Sequence, residues 1–193
     1  WEKKIKKNIN KLVVIDDFSK EKHYSDIIFN NLNKNTIKGT KVFTGLEFVI
    51  IPNKLRKKLE GKKNKKKIIG TFFGSSDNLN CTQAFLNIFS QKDFIKFKFI
   101  SILGINNKKN KIIKKKFKKN KNIKIIENYK KMSNFFDKID ILISSGGVTS
   151  YEALYSNKKC INVPINFHQK TNSNFQEKMK ISSILNYVNI TKK

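Results

Sequence analysis

The chain has 193 residues, of which 38% are hydrophobic, so it can fold as one full domain with part of a second. Charged residues interrupt every apolar run before it reaches the length of a bilayer span, and the first residues lack the apolar stretch of a signal peptide. Two isolated cysteines, Cys81 and Cys160, fit neither a disulfide framework nor a metal-ligand spacing. We therefore expect a cytoplasmic protein that does not insert into membranes and holds no metal.

The net charge of +28 raises the hypothesis of a nucleic-acid-binding protein. Yet all but one of the 42 basic residues are lysines, the exception being Arg56. Recognition of phosphates and bases favours the planar guanidinium of arginine. The lysines occur with abundant Asn, Ile and Phe, whose codons are also rich in A and T. Nucleotide bias in the genome is therefore the simpler explanation of the charge, and we expect no specific nucleic-acid partner.

In chain order, two short apolar runs come first. Residues 12–16 and 26–30 are predicted to be strands, because they are rich in β-branched and aromatic residues. Residues 54–60 have the pattern of a short helix. Residues 61–66 are rich in lysine and are predicted to be a linker. This linker divides the chain into residues 1–60 and a second domain of residues 67–193.

From residue 67 onward, apolar runs alternate regularly with amphipathic stretches. The predicted strands are residues 67–73, 97–103, 122–126, 139–144 and 160–163. The predicted helices are residues 78–90, 108–119, 132–138, 150–156 and 171–180. Such alternation is typical of βαβ units with right-handed crossovers. The predicted fold is therefore α/β, with a Rossmann-like parallel sheet and flanking helices.

The loop after the fourth of these strands is the most informative candidate site, because ligands of such sheets bind outside the carboxyl ends of the strands. Gly146 and Gly147 permit a positive φ and let a ligand approach the backbone closely. The helix that follows offers free N–H groups and the positive end of its dipole, which suit a diphosphate. Ser145, Thr149 and Ser150 add hydroxyl donors.

Glu152 lies one turn into this helix and has two interpretations of equal weight. Its carboxylate could accept hydrogen bonds from a ribose diol. Alternatively, Thr149 and Glu152 form a capping box, in which the glutamate only satisfies the start of the helix.

Two further loops are candidates. Residues 74–77 (GSSD) are small and polar and could touch the phosphate or the sugar. A plainer interpretation is a tight turn in which Ser76 or Asp77 is the N-cap of the next helix. His168 and Gln169 follow the fifth strand and are predicted to lie in a loop that closes over the ligand, although a single loop histidine is more often merely exposed.

These residues resemble a known family, the UDP-sugar hydrolases of pseudaminic acid biosynthesis. Its members cleave UDP-2,4-diacetamido-2,4,6-trideoxy-β-L-altropyranose and are relatives of the MurG-type glycosyltransferases of the GT-B fold. The resemblance is carried by LVVIDDFSKEKHYSDIIFNN (residues 12–31), TGLEFVIIPNKLR (44–56), GTFFGSSDNLNCT (70–82) and SSGGVTSYEAL with the later HQ (144–169). It implies the C-terminal domain of a GT-B-type fold, preceded in residues 1–60 by the remnant of a second Rossmann-like domain.

The resemblance also implies a site. The residues that would hold the UDP phosphates are Gly146, Gly147, Val148, Thr149 and Ser150. Glu152 would bind the uridine ribose, and the loop containing Gly74 and Ser75 would face the cleft. His168 and Gln169 stand where many members have Asn-Gln, so a ligand contact by His168 departs from the family pattern.

The resemblance further implies a reaction in which water releases UDP and the free diacetamido sugar, without a cofactor. The family carries a G-x-G-H-x-x-R segment near its N-terminus, whose histidine activates the water. This chain begins after that point, so we expect the general base, and hence the catalytic residues, to lie in a missing N-terminal segment. The alternative function is the nucleotide-sugar-binding part of a MurG-like glycosyltransferase, since the fold does not decide between hydrolysis and transfer.

Overall fold

The computed structural model describes residues 1–16, 22–30, 40–56, 67–127, 129 and 131–187. The chain divides into two compact units, Trp1–Ile50 and Ile51–Lys193. The predicted linker of residues 61–66, and the end of the predicted helix of residues 54–60, lie outside the described residues. The described start of that helix, Asn53–Arg56, belongs to the larger unit, whereas the sequence analysis places it in the first domain.

The smaller unit contains a three-stranded parallel sheet in the order β1-β2-β3. Its elements are α1 (Glu2–Lys6), β1 (Val13–Ile15), β2 (Ile27–Asn30), β3 (Lys41–Thr44) and a 3₁₀ turn (Leu46–Phe48). β1 and β2 confirm the two predicted strands, and β3 was missed. One face of this sheet packs Val14, Ile28 and Val42 against Leu12, which explains why these short runs are strands.

The larger unit contains a six-stranded sheet in the order β6-β5-β4-β7-β8-β9, in which all neighbours are parallel. Its strands are β4 (Ile68–Phe72), β5 (Lys98–Leu103), β6 (Ile123–Glu127), β7 (Ile141–Ser144), β8 (Lys159–Asn162) and β9 (Ser182–Ile184). Its helices are α2 (Asn53–Arg56), α3 (Cys81–Phe89), α4 (Asn110–Phe117), α5 (Met132–Phe136), α6 (Val148–Tyr155) and α7 (Phe167–Lys178), and a 3₁₀ turn covers Lys92–Phe94. All five strands predicted from residue 67 onward are confirmed, and β9 was missed.

Helices cover both faces of this sheet. Successive strand residues point to opposite sides, so each face has its own set of apolar side chains to bury. In β7, Leu142 packs with α5 and α6, whereas Ile143 packs with α3 and α4. The cluster that contains Ile143 is rich in phenylalanine, and in it the rings of Phe89 and Phe99 stack with their centroids 4.0 Å apart. This three-layer arrangement confirms the predicted α/β class. None of the helices among the described residues is long and apolar enough to cross a membrane.

Candidate functional site

The strand order brings the two predicted loops to the same place. β4 lies beside β7, with β5 and β6 on one side and β8 and β9 on the other. The chain therefore reverses its winding direction between β4 and β7, and ligands bind at such a point on the carboxyl edge of the sheet. Phe72 and Ser144, the last residues of these two strands, are paired in register. The loops that begin after them are thus neighbours.

The β7–α6 loop packs tightly at Gly146 and is open at Gly147. Gly146 has a φ of 79°, and a Cβ atom there would lie 2.1 Å from the hydroxyl oxygen of Ser173 in α7. Only glycine fits this position. A Cβ atom at Gly147, the N-cap of α6, would meet no atom within 4 Å. A ligand can therefore approach the backbone at Gly147.

The start of α6 leaves backbone donors free. In the described part of the chain, the N–H groups of Val148 and Thr149 bond to no acceptor, as expected for the first residues of a helix. Together with the helix dipole they form a position suited to an anion. The side chain of Thr149 is partly exposed beside these donors, whereas Ser145 is buried.

Ser150 differs from the prediction that its hydroxyl faces a ligand. Its side chain is fully buried, donates to the carbonyl oxygen of Gly147 at 2.7 Å, and accepts from the amide of Gln176 at 2.8 Å. Both interactions point into the protein. The hydroxyl of Ser150 therefore holds the loop in place and does not contact a ligand.

Glu152 does not form the capping box. The N-cap of α6 is Gly147 and makes no side-chain cap bond, because the helix begins before Thr149. The carboxylate of Glu152 has no hydrogen-bond or ion-pair partner among the residues that the structure describes. Its partial burial raises its pKa above the usual value. An unpaired, half-buried acceptor one turn from the anion position remains available to a ligand.

A cavity of about 480 Å³ lies beside this carboxylate, within the larger unit. Its walls combine apolar side chains with polar ones and come from α2, α5 and α6. The lining residues are Pro52, Lys54, Leu55, Lys131, Met132, Ser133, Asn134 and Glu152. Of these, the sequence analysis identified only Glu152.

The β4–α3 loop rests on the loop after β5. The backbone N–H of Asn106 donates to the carbonyl oxygen of Ser75 at 3.0 Å, and its amide donates to the hydroxyl of Ser75 at 2.9 Å. A Cβ atom at Gly104 would lie 2.2 Å from the carbonyl oxygens of Gly74 and Ser75. Gly74 has a φ of 83°, and Ser75 is exposed. The structure thus places Gly74 and Ser75 at the carboxyl edge, on a well-supported turn.

Asp77 stabilises the start of helix α3. Its carboxylate accepts from the backbone N–H groups of Cys81 at 2.8 Å and Thr82 at 3.0 Å. The N-cap itself is Asn80, so the interpretation of Ser76 or Asp77 as the N-cap is wrong in position. Burial raises the pKa of Asp77, although these hydrogen bonds oppose the shift. The helix begins at Cys81 rather than at the predicted residue 78.

His168 and Gln169 do not lie in a loop, so that prediction is wrong. Both belong to the first turn of α7, which begins at Phe167. The side chain of Asn166 accepts from the N–H of Gln169 at 2.9 Å, and the side chain of Gln169 accepts from the N–H of Ile165 at 3.0 Å. Gln169 therefore completes a helix cap. His168 is exposed.

Of the two histidines, His168 lies in the first turn of α7, which follows the carboxyl end of β8. The other histidine, His23, lies in the smaller unit between the carboxylates of Glu2 and Asp16, at 2.8 and 2.7 Å. Among the described residues, no three His, Cys, Asp or Glu side chains form a group that could hold a metal ion.

Known proteins resemble this chain in family and in fold. Residues 68–192 match the family model of the glycosyltransferase family 28 C-terminal domain, and no curated protein matches the chain. Similar solved structures are the glycotransferase of kitacinnamycin (11% identity, TM-score 0.63), MurG of Acinetobacter baumannii (14%, 0.56) and MnaA of S. aureus in a UDP co-structure (14%, 0.55).

These alignments cover 88%, 86% and 87% of this chain but only 44%, 48% and 49% of the three solved chains. The chain thus spans about half the length of these structures. At such low identity they show the fold, which is that of the C-terminal domain of GT-B glycosyltransferases, as predicted. The family match extends over well over half of the chain, and the predicted relation to MurG-like proteins is confirmed. The chain belongs to the family of glycosyltransferase family 28 C-terminal domains.

Proposed function

We propose that the larger unit binds the nucleotide-sugar donor of a glycosyltransferase-like enzyme, and that the nucleotide is UDP. The observation that carries this proposal is the open start of α6 at Gly147, one turn away from the unpaired carboxylate of Glu152. A nucleoside diphosphate needs an anion site for its phosphates and an acceptor for its ribose diol. Membership of the family and the UDP in the co-structure of MnaA support the choice of ligand.

In this proposal the diphosphate lies against the free N–H groups of Val148 and Thr149. Glycine at position 147 leaves room for the phosphate oxygens. Because negative charge grows on the diphosphate as the bond to the sugar breaks, these donors also stabilise the leaving group.

The nucleoside then occupies the cavity beside Glu152. Its volume of about 480 Å³ is in the range of small-molecule sites. The carboxylate of Glu152 accepts from the ribose hydroxyls, while the apolar side chains of Pro52 and Met132 offer surface to the base.

The test is a titration of UDP, UMP and uridine against the wild-type protein and the variants Gly147→Ala and Gly147→Val. Affinity should rise from uridine to UMP to UDP, because each phosphate adds contacts to the helix start. The larger side chain should weaken UDP more than the smaller one, since both fill the space of the phosphate. Neither should change the affinity for uridine, which has no phosphate. Gly147→Ala should lower the midpoint of thermal unfolding only slightly, because an added Cβ atom has no atom within 4 Å apart from those of its chain neighbours.

Folded wild-type protein that shows no UDP binding at about 1 mM ligand would remove the proposal. Equal losses of UDP and uridine affinity in Gly147→Val would place the diphosphate elsewhere.

Hydrolysis of the nucleotide sugar is the second candidate, supported by the resemblance of residues 12–31 and 44–56 to the pseudaminic acid hydrolases. The two candidates share the binding site and differ in the acceptor. The full product of the gene, given UDP-2,4-diacetamido-2,4,6-trideoxy-β-L-altropyranose, should release UDP in water alone if it is a hydrolase. Release of UDP only after a sugar or lipid acceptor is added would support transfer.

A further inference from the structure

A series of hydrogen bonds between buried amides and hydroxyls connects the start of α6 to the protein interior. The hydroxyl of Ser150 donates to the carbonyl oxygen of Gly147 at 2.7 Å and thereby closes the turn of the β7–α6 loop. The same hydroxyl accepts from the side-chain amide of Gln176 at 2.8 Å. Gln176 lies in α7 and is fully buried.

Gln176 extends this chain to the sheet. Its carbonyl oxygen accepts from the side-chain amide of Asn162, at the end of β8, at 2.8 Å. The amide of Asn162 also donates to the hydroxyl of Ser182 in β9 at 3.1 Å. A single side chain thus joins α6 to β8 through α7, using both its donor and its acceptor.

The loop itself also packs on α7. Gly146 leaves no space for a Cβ atom because the hydroxyl of Ser173 lies 2.1 Å from where that atom would be. Any shift of α7 relative to α6 must therefore move the loop. The position of α7 determines where the free N–H groups of Val148 and Thr149 point.

This junction is rich in buried polar side chains. Its fully buried side chains include Ser150, Asn162, Ser173 and Gln176, whereas the buried cluster on the opposite face of the sheet includes five phenylalanines. Apolar contacts are not directional, and a buried amide costs free energy unless both its ends are bonded. Both ends of the Gln176 amide are bonded, and such directional bonds fix one geometry, which apolar packing alone does not.

We propose that Gln176 is a positioning residue for the nucleotide site: it holds the start of α6 in place through Ser150 and so orients the backbone donors that bind the diphosphate. The proposal rests on the proposed function for the identity of the ligand. Gln176 itself touches no ligand, because it is fully buried beneath the loop.

The test uses Gln176→Met, which keeps the length and volume of the side chain but removes both hydrogen bonds. The dissociation constant for UDP, measured well below the unfolding midpoint, should rise about tenfold. The double variant Ser150→Ala, Gln176→Met should lose less affinity for UDP than the sum of the two single losses, because the two single variants remove one shared contact. Ser150→Ala also removes the bond to Gly147.

The matched control is Ser156→Ala. The hydroxyl of Ser156 is buried and donates to the carbonyl oxygen of Glu152 at 2.8 Å, at the other end of the same helix. This variant should lower the unfolding midpoint without changing the affinity for UDP. A Gln176→Met protein that is folded and binds UDP like the wild type would overturn the proposal, as would an equal loss of affinity in Ser156→Ala.

A second readout needs no ligand. The N–H of Ser150 donates to the carbonyl oxygen of Gly147 at 3.0 Å, and its hydrogen exchange should become about tenfold faster in Gln176→Met. Faster exchange in a protein whose wild type fails to bind UDP would retain the positioning role and reject the proposed ligand; unchanged exchange would reject the positioning role itself. If Gln176→Met does not fold, Ser150→Ala removes the same contact from its other side, together with the bond to Gly147, and should raise the dissociation constant for UDP at least as much.

Discussion

Adjacent side chains in the first turn of α6 have different environments because each helical residue is rotated by about 100° from the last. Thr149 is partly exposed beside the free backbone donors, whereas Ser150 points inward and bonds to Gln176. From the sequence, both hydroxyls are equivalent candidates. The distinction depends on where the helix begins, and the sequence pattern leaves that uncertain by one or two residues. In the structure, the first residue of α6 is Val148.

The residue at which α6 begins also decides between the two interpretations of Glu152. With Gly147 as N-cap, Thr149 lies inside the helix and cannot pair with Glu152 as a capping box. The glutamate carboxylate is then a half-buried group whose pKa is raised by burial and which no described residue bonds.

Glu152→Ala is expected to weaken UDP binding by about 1.5–3 kcal/mol, or roughly ten- to a hundredfold, because a hydrogen bond to a charged acceptor is lost. Binding of 2′,3′-dideoxy-UDP, which lacks the diol, should be almost unchanged. Isothermal titration of both ligands provides the measurement. Glu127→Ala is the control, since this carboxylate forms a surface ion pair with Lys114 at 2.9 Å on the edge strand β6.

Stability gives an independent check on Glu152. A capping glutamate would cost stability on removal, whereas an unpaired half-buried carboxylate should not. The free energy of unfolding of Glu152→Ala should therefore equal or exceed that of the wild type. Equal loss of affinity for both nucleotides would contradict the assignment of Glu152 to the ribose.

At the scale of elements, strands with an apolar run were predictable and polar edge strands were not. β7 has three apolar residues of four and is buried, whereas β9 (Ser182–Ile184) is an edge strand with two serines. The start of α7 was predicted too late, although the pair Asn166 and Gln169 is a sequence signal for a helix start. Helix α3 begins late because Asp77 stabilises its start across an intervening turn.

The close approach of two loops at Gly104 could not be read from the sequence, because it depends on strand order. Since β4 and β5 are neighbours, the loops that follow them meet at Gly104, where the carbonyl oxygens of Gly74 and Ser75 fill the space of a Cβ atom. Backbone atoms cannot move aside as a flexible side chain can.

Gly104→Ala should therefore lower the free energy of unfolding by about 3 kcal/mol, the upper end of the usual cost of overpacking. Two other glycines of this edge are matched controls. Gly74→Ala should cost about 1 kcal/mol, because its φ of 83° strains a side chain although the space is open. Gly147→Ala should cost less than about 1 kcal/mol, because alanine is a poorer N-cap than glycine but its Cβ atom meets open space. Chemical denaturation of the three variants measures the order, and a Gly104→Ala protein as stable as Gly147→Ala would contradict this packing.

For the whole molecule, the division into units differs from the one that composition predicts. The lysine-rich composition of residues 61–66 predicts a linker there, but the compact units divide between Ile50 and Ile51. Leu55, which precedes this run, is buried in the core of the larger unit beside Ile100 and Leu142. A single apolar residue in a lysine-rich segment gives no sign of such packing. Whether residues 1–60 are the remnant of a second Rossmann-like domain stays a prediction.

The two units also differ in what titrates near neutral pH. In the smaller unit, burial alone would lower the pKa of His23, but its hydrogen bonds to Glu2 and Asp16 and their charges outweigh burial and raise the pKa above 6.5. In the larger unit, burial raises the pKa of the thiols of Cys81 and Cys160 to about 12, so they stay protonated. His23 joins α1 to the end of β1, and its protonation should therefore govern the smaller unit alone.

The last prediction follows from the sign of this shift. A histidine whose pKa is raised on folding contributes stability that is fully present below its unfolded pKa of about 6.5 and is lost as pH rises through the folded value. Between about pH 6 and pH 9, hydrogen-exchange protection of β1 and β2, corrected for intrinsic rates, should fall, while that of Ile141–Ser144 should not. His23→Gln should show weak protection of β1 and β2 at both pH values, because it cannot carry the charge that pairs with both carboxylates. A parallel loss of protection in β7, or an unchanged pH dependence in His23→Gln, would show that the two units do not respond separately or that another group controls the smaller one.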